Sequence, residues 1–420
     1  MDKSKLLRWF QFLLVVIAAG SIYPMIYLRT GYQETMLSVF GIELSQLNIL
    51  YTALGFTFVA GYFPSGWISD KFSSKWLLTL SLLFTSLGGF WFAQIPSYAN
   101  MIVIFVIWGF FSVFTFWSAH MKIVKLLSTK ADEGRFFGIL DGGRGLIEAM
   151  LGAIAVVIFA SLIGDGEAGQ KDPKTALKGV IYMYSLTLLA VSLLIAFFVK
   201  DEKKEAKTVV REKVSFIGNT QVFKNKFVYI MGAIIFTGYF VTWAQYFMGG
   251  FLEYGVGVNS VTVATVMMVV LWMRPVGGML GGFLADKIGK ERVVGGSMAL
   301  GSLCLILMAL LPRTTNVWLF YIIVVAAGIF IFCIRGTYWS LLGDVRVDNK
   351  NMGLAIGYVS LFGYLPDILA PQMGNLAFGV MGGYNAYFLM TATLGIIGVF
   401  VCIFFKKLAN KPGSVDVSGN

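Results

Sequence analysis

The sequence predicts an all-α membrane protein with twelve transmembrane helices in two pseudo-symmetric six-helix bundles. Three observations lead to this fold class: an apolar composition, twelve apolar segments of spanning length, and a motif that recurs half a chain apart. Of the 420 residues, 57% are hydrophobic and only 13% are charged. A soluble globular protein carries about 25% charged residues, so we expect much of this chain to face lipid.

Apolar segments long enough to cross a bilayer, roughly 20 residues each, recur twelve times. They cover residues 10–30, 46–66, 75–95, 100–124, 136–163, 177–199, 227–252, 259–284, 292–312, 316–342, 352–380 and 384–405. The stretch between the sixth and seventh segments begins KDEKKEAKTVVREK and has the charge density of a solvated loop. The predicted organisation is an N-terminal bundle (1–199), a cytoplasmic linker (200–226), a C-terminal bundle (227–405) and a cytoplasmic tail (406–420).

A motif shared by the two halves indicates an internal duplication. GWISDKFSSK follows the second span, and GGFLADKIGKER follows the eighth. Asp70 and Asp286 are 216 residues apart, and so are Lys71 and Lys287. Recurrence at equivalent places in two six-helix halves is typical of transporters built from structural repeats.

Positive charge is distributed unequally between the loops on the two sides. Of the 33 basic residues, 25 fall on the side that holds both termini and the central linker, and four fall on the other. Cytoplasmic loops carry the excess of Lys and Arg. We therefore expect a multi-pass protein of the cell (inner) membrane with both termini in the cytoplasm.

The basic residues are scattered, and the chain has three cysteines and one histidine, so we expect no nucleic-acid partner, metal or cofactor.

The two loop motifs are similar to the G-x-x-x-D-[RK]-x-G-[RK] loop of the major facilitator superfamily, and the resemblance covers essentially the whole chain. The first copy has Ser73 in place of the second glycine. DEGRFFG resembles the charged loop between the fourth and fifth helices of that family. The resemblance implies two bundles that rock about a central site. It implies a gating role for five residues: Asp70, Lys71, Arg135, Asp286 and Lys287.

The N-terminal segment has a narrower resemblance. The stretches LLRWFQF and IYPMIYLRTGY, with Arg29 late in the first helix, are similar to the organophosphate:phosphate antiporter group. That group uses an arginine of the first helix as one arm of a phosphate clamp and an arginine of the seventh helix as the other. Residues 227–252 contain no arginine, so this chain departs from the group at the second arm.

Several charged residues lie at membrane depth. The basic ones are Arg29, Arg144, Arg274 and Arg335, and the acidic ones are Asp141, Glu148 and Asp367. A charge at the bilayer centre costs about 2.5–3.5 kcal/mol even on a lenient scale, so these groups are expected to face the protein interior. A surplus of arginine attracts anions, which guanidinium groups bind in bidentate fashion. The predicted substrate-binding residues are Arg29, Arg335, Arg274, Tyr27, Trp243 and Tyr338.

Two of these arginines have structural alternatives. Arg29 could instead end its helix and reach the outer interface, as long cationic side chains do. Arg274 precedes Pro275, whose ring could open the eighth helix locally. Cavity lining and internal pairing are both open for Arg274.

The stretch ILDGGRGLIEAM in the fifth helix places Asp141, Arg144 and Glu148 on one helical face. In a structural interpretation, one carboxylate neutralises Arg144. In a functional interpretation, the other carboxylate is left over and binds a proton during transport. Asp367 is a second candidate for proton coupling, because Pro366 and Pro371 predict a broken eleventh helix there.

These features favour a secondary, alternating-access transporter of a small organic anion that acts as a monomer. It would work by symport with protons or by antiport, with phosphate as one possible coupling ion. A proton-driven exporter of lipophilic or drug-like compounds, an uncoupled uniporter and, more remotely, a membrane enzyme remain alternatives. The sequence contains no G-x-x-x-x-G-K-[ST] loop, so this chain is not expected to use ATP.

Overall fold

The computed structural model describes residues 3–128, 133–163, 172–201, 225–344 and 352–409, and within these ranges it contains helices and no strands. The first half contains α1 (Lys3–Ile26), α2 (Arg29–Phe40), α3 (Leu44–Lys71), α4 (Ser74–Phe92), α5 (Tyr98–Gly109), α6 (Trp117–Leu127), α7 (Glu133–Ile163) and α8 (Pro173–Phe198). The second half contains α9 (Lys226–Trp243), α10 (Gln245–Gly250), α11 (Ser260–Ile288), α12 (Lys290–Leu310), α13 (Val317–Thr337), α14 (Met352–Gly363), α15 (Pro366–Val380) and α16 (Tyr384–Ala409). The all-helical prediction is confirmed for these ranges.

Some predicted spans contain a short turn whose helical pitch differs from that of an α-helix. A π-turn, Phe110–Phe114, lies between α5 and α6, and a second, Phe251–Gly255, follows α10. A 3₁₀ turn, Tyr338–Asp344, continues α13. Eleven helical stretches of the described residues are long and apolar enough to span a membrane. The helices α14 and α15 together supply the predicted eleventh span, and each is shorter than a bilayer crossing needs.

The eleventh span is broken as the prolines predict. Helix α14 ends at Gly363, and Pro366 is the first residue of α15. Proline disfavours helical backbone in the residue before it and is well tolerated as the first residue of a helix. Asp367, the next residue, is only 1% exposed. Helix α11, by contrast, runs through Pro275 without interruption.

Polar residues fix several helix starts. Glu43 and Gln46 form a reciprocal capping box at the start of α3, which satisfies backbone N–H groups that the helix leaves without partners. Asn225 and Asn316 accept hydrogen bonds from the backbone N–H groups of Phe227 and Trp318. Such caps contribute about 1 kcal/mol each.

The described chain divides into two compact units. Unit 1 contains Met1–Glu212, Gln245–Pro275 and Asp367–Tyr384, and unit 2 contains Lys213–Ala244, Val276–Pro366 and Asn385–Asn420. Unit 1 therefore combines first-half helices with three helical pieces of the second half. Most of the predicted linker and tail, residues 202–224 and 410–420, lies outside the described residues, and the division into two sequence halves stays a prediction.

Glycine permits one of the closest backbone approaches in unit 1. A methyl group added at Gly55 of α3 would lie 2.2 Å from the carbonyl oxygen of Asp367. No side chain fits in that space without moving α15. At Gly66 of the same helix, an added methyl group would meet nothing within 4 Å.

This difference gives a matched test of packing in unit 1. We expect Gly55→Ala to lower the free energy of unfolding by about 1–3 kcal/mol, because over-packing displaces backbone. Gly66→Ala is the control and should change it by no more than about 1 kcal/mol, in the stabilising direction. Chemical unfolding in detergent micelles measures both, and equal stability of the two variants would contradict this packing.

Candidate functional site

The charged stripe of α7 forms an ion-pair cluster with an arginine from the second half of the chain. Arg144 Nε lies 3.3 Å from Glu148 Oε1, and Arg274 Nη1 of α11 pairs with Glu148 Oε2. The side chains of Arg144, Glu148 and Arg274 are 12%, 8% and 13% exposed. We call these three residues the triad. Two guanidinium groups thus share one nearly buried carboxylate inside unit 1.

The sequence around the triad explains how Arg274 reaches it. A methyl group added at Gly145 would lie 3.0 Å from Arg274 Cδ, so the missing side chain leaves room for the arginine stem. The Arg144 guanidinium also lies 4.7 Å from the ring centre of Tyr23. Asp141, the third charge of the stripe, is exposed. Arg144 therefore pairs with Glu148, and internal pairing is what the structure displays for Arg274.

Arg29 is completely buried in this structure. Its guanidinium donates to Asn48 Oδ1 at 2.9 Å and to Gln33 Oε1 at 2.7 Å. The rings of Tyr51 and Phe247 lie 5.0 Å and 4.2 Å from its central carbon. The surroundings of Arg29 therefore combine amide acceptors with aromatic faces.

Hydrogen bonds extend from Arg29 to both chain halves within unit 1. Gln33 Nε2 donates to Tyr384 Oη at 2.8 Å and to Glu34 Oε1 at 3.0 Å. Tyr384 donates to the same Glu34 oxygen at 3.2 Å. Asn48 Nδ2 donates to Asn375 Oδ1 at 2.8 Å. We call these six residues the distal network, because they lie at the end of unit 1 that contains the turn 41–43: Arg29, Gln33, Glu34, Asn48, Asn375 and Tyr384.

Tyr27 lies in an aromatic stack near the distal network. Its ring stacks on Tyr246 with centroids 4.5 Å apart and an interplanar angle of 12°. The Tyr51 ring also stacks on the Tyr27 ring, with centroids 5.7 Å apart. The predicted substrate residue Tyr27 therefore lies in an aromatic stack inside unit 1, the unit that also contains the buried Asp367.

Unit 2 contains the other predicted substrate residues. Arg335 is half-buried and lies 5.8 Å from the ring centre of Tyr239. Tyr364 packs on Tyr239 with centroids 4.9 Å apart and accepts a 2.9 Å hydrogen bond from Trp339 Nε1. The Tyr338 and Tyr364 hydroxyl groups are 3.5 Å apart. Trp243 is almost fully buried in α9. Arg335 and Tyr338 thus belong to one aromatic cluster of unit 2.

The two loop motifs lie at the ends of α3 and α11, and the lysine of each motif lies over an aromatic ring of its own helix. Lys71 Nζ lies 4.8 Å from the ring centre of Trp67, and Lys287 Nζ lies 4.4 Å from that of Phe283. This repeated cation–π pair was not predicted from the sequence. Asp286 is exposed. The side chains of Asp70 and Arg135 lie outside the described part of the chain, and the gating roles stay predictions.

Sequence comparison decides the family. The family model of the Major Facilitator Superfamily matches residues 9–371. The chain belongs to the major facilitator superfamily. It is therefore a multi-pass membrane transporter rather than an enzyme, and the membrane-enzyme alternative is wrong.

Several relatives span nearly the same length as this superfamily chain. Inner membrane protein YqcE of Escherichia coli K12 is 28% identical over 97% of both chains. Inner membrane protein YihN of the same organism is 25% identical over 95% of this chain and 96% of its own. The probable sulfoacetate transporter SauU of Cupriavidus necator is 24% identical (88% and 86% covered), and a hexuronate transporter of Bacillus subtilis is 22% identical (89% of each).

A solved structure supports the twelve-helix fold of the superfamily. The nucleoside transporter NupG superposes with a TM-score of 0.71 at 15% identity, covering 97% of this chain and 100% of NupG. At this identity the likeness concerns the fold alone. The predicted fold class is confirmed.

The triad can be tested by removing its shared carboxylate. We expect Glu148→Ala to lower the free energy of unfolding by about 3–5 kcal/mol, because it leaves two nearly buried guanidinium groups without their common partner. Asp141→Ala, an exposed carboxylate of the same helix, is the control and should have little effect. Arg274→Ala should lower the free energy of unfolding less in the Glu148→Ala variant than in the wild type. Additive losses in unfolding measurements would contradict the coupling.

Proposed function

We propose that the chain transports a small organic anion by alternating access and that Arg144 and Arg274 bind the solute's acidic group. The observation that carries this proposal is the Glu148 carboxylate held by both guanidinium groups. The protein's own carboxylate occupies the place where a solute carboxylate or sulfonate would bind, since guanidinium groups recognise such planar or tetrahedral oxyanions in bidentate geometry. Sulfoacetate and hexuronates, named for two relatives, are organic anions of this kind.

Charge balance in a poorly solvated site suggests how protons take part. When Glu148 is ionised and the site is empty, the triad contains two positive charges and one negative charge. When Glu148 is protonated and a monoanion is bound, the total is the same. In the mixed state with Glu148 protonated and the site empty, the triad contains two positive charges and no negative one. In the mixed state with Glu148 ionised and an anion bound, the solute replaces the Glu148 carboxylate on Arg274, and a displaced carboxylate without its partner is costly inside a membrane protein. Proton and anion therefore bind together, which makes the transporter a symporter.

Other parts of the proposal follow from the charges elsewhere. The excess of Lys and Arg on one side supports cytoplasmic termini. Arg335, with the Tyr239 and Tyr338 hydroxyl groups in its cluster, stays a candidate substrate-binding residue within unit 2. Each chain contains both six-helix halves, so we propose that it acts as a monomer.

Ligand-dependent stability tests the substrate class. We expect sulfoacetate or a hexuronate to raise the thermal midpoint of the purified protein in detergent, and choline to leave it unchanged. A ligand at 100 times its Kd stabilises a protein by about 2.7 kcal/mol. Arg274→Lys should lose most of the shift, and Arg292→Lys, an exposed control, should keep it. Stabilisation by cationic probes alone would favour the exporter alternative.

Transport in proteoliposomes tests the coupling. An imposed pH gradient should drive accumulation of the stabilising anion by the wild type and by Asp141→Asn. Glu148→Gln, which resembles the permanently protonated state, should lose gradient-driven accumulation and keep solute exchange at equilibrium. Gradient-driven accumulation by Glu148→Gln would exclude Glu148 as the coupling residue, and indifference of the wild type to pH would indicate a uniporter or an antiporter.

A further inference from the structure

A pair of carboxylates at the distal end of unit 1 has no role in the transport scheme above. Glu34 lies in α2, and Glu253 lies in the π-turn after α10. Both lie beside the same two side chains: Glu34 accepts hydrogen bonds from Gln33 and Tyr384, and Gly250, three residues before Glu253, packs against Gln33 and Tyr384. Neither residue stood out in the sequence, because each lies near the end of an apolar segment and resembles an ordinary loop charge.

Close packing fixes Glu253 beside the distal network. A methyl group added at Gly250 would lie 2.0 Å from Gln33 Nε2 and 2.3 Å from Tyr384 Oη. The backbone just before the π-turn therefore touches two network side chains directly. Phe251 also packs edge-on against the Tyr384 ring, with centroids 6.0 Å apart. Glu253 follows two residues later.

The hydrogen bonding of the two carboxylates is unequal. Glu34 Oε1 accepts hydrogen bonds from Gln33 and Tyr384. Glu253 Oε2 is buried and accepts no hydrogen bond from the described residues. Among the described residues, charged and titratable groups that join the distal network from neighbouring segments include Arg29, which donates to Gln33, and Tyr384 of α16, which donates to Glu34. A buried carboxylate oxygen without a donor is unfavourable, and a second carboxylate nearby adds repulsion.

We propose that Glu34 and Glu253 share one proton when the distal network is closed, so that closure of this end depends on the pH of the compartment it faces. A shared proton removes the repulsion and supplies the missing donor at the same time. When the network separates, Glu253 moves away from Glu34, both carboxylates regain water, and the proton leaves. This inference rests on the alternating-access transport proposed above, and it adds a proton site distinct from Glu148. Acid at the distal side thus favours closure there.

Distance measurements on the ligand-free, full-length protein test this proposal. Spin labels at Ser45→Cys and Val380→Cys, both exposed and both in unit 1, report opening of the distal end. The three native cysteines are buried and are replaced by alanine. Between pH 8 and pH 5, the ratio of short-distance to long-distance populations should rise by roughly fivefold or more, the lower end of typical coupling between sites.

Charge-neutral variants locate the proton. Glu34→Gln and Glu253→Gln should each abolish the pH response and favour the short distance at every pH. Glu43→Gln, an exposed carboxylate at the same end, is the matched control and should respond like the wild type. Glu148→Gln should also keep the pH response. The test of the distal proton site is therefore independent of whether Glu148 couples protons to transport. A pH-independent wild type, or a normal response in either pair variant, would overturn the shared proton.

Discussion

The arrangement of unit 1 depends on the high free energy of unpaired charge in a poorly solvated interior. Arg144 and Arg274 come from helices that are far apart in sequence, and Glu148 joins them. Removing Glu148 would take away the carboxylate that both guanidinium groups share, and ionisable residues embedded in a membrane are usually paired and functional. The same constraint suits the triad to anion binding. An incoming oxyanion can replace the Glu148 carboxylate on the guanidinium groups without adding an unpaired charge.

Small residues and prolines shape the space around these charges. Gly145 leaves room for the Arg274 stem, and Gly250 brings the α10 backbone against the distal network. Pro366 ends one helical segment and starts the next, so that Asp367 lies buried at the start of α15. The two glycines act through the absence of a side chain, and Pro366 acts through the absence of a backbone N–H group. The polar contacts around them therefore depend on close packing that a larger side chain at either glycine would disturb.

Much of the fold could be predicted from the sequence, and less of the candidate site. Span length, the loop motif and the broken eleventh helix are local patterns, and local patterns are readable without coordinates. The Arg144–Glu148 contact follows from helical spacing of four residues. Its extension to Arg274 does not, because the two segments are 126 residues apart. Arg29 was predicted as a substrate residue from its charge, but its partners Asn48 and Gln33 are uncharged and give no comparable signal. Glu34 and Glu253 were missed for the opposite reason, since carboxylates near helix ends are common.

A structure of the protein with a stabilising organic anion bound tests the central claim most directly. The account predicts that the acidic group of the solute contacts Arg144 and Arg274, and that the Glu148 carboxylate has moved off Arg274. An anion bound elsewhere, with the pair between Arg274 and Glu148 intact, would contradict it and would leave the triad a purely structural ion-pair cluster.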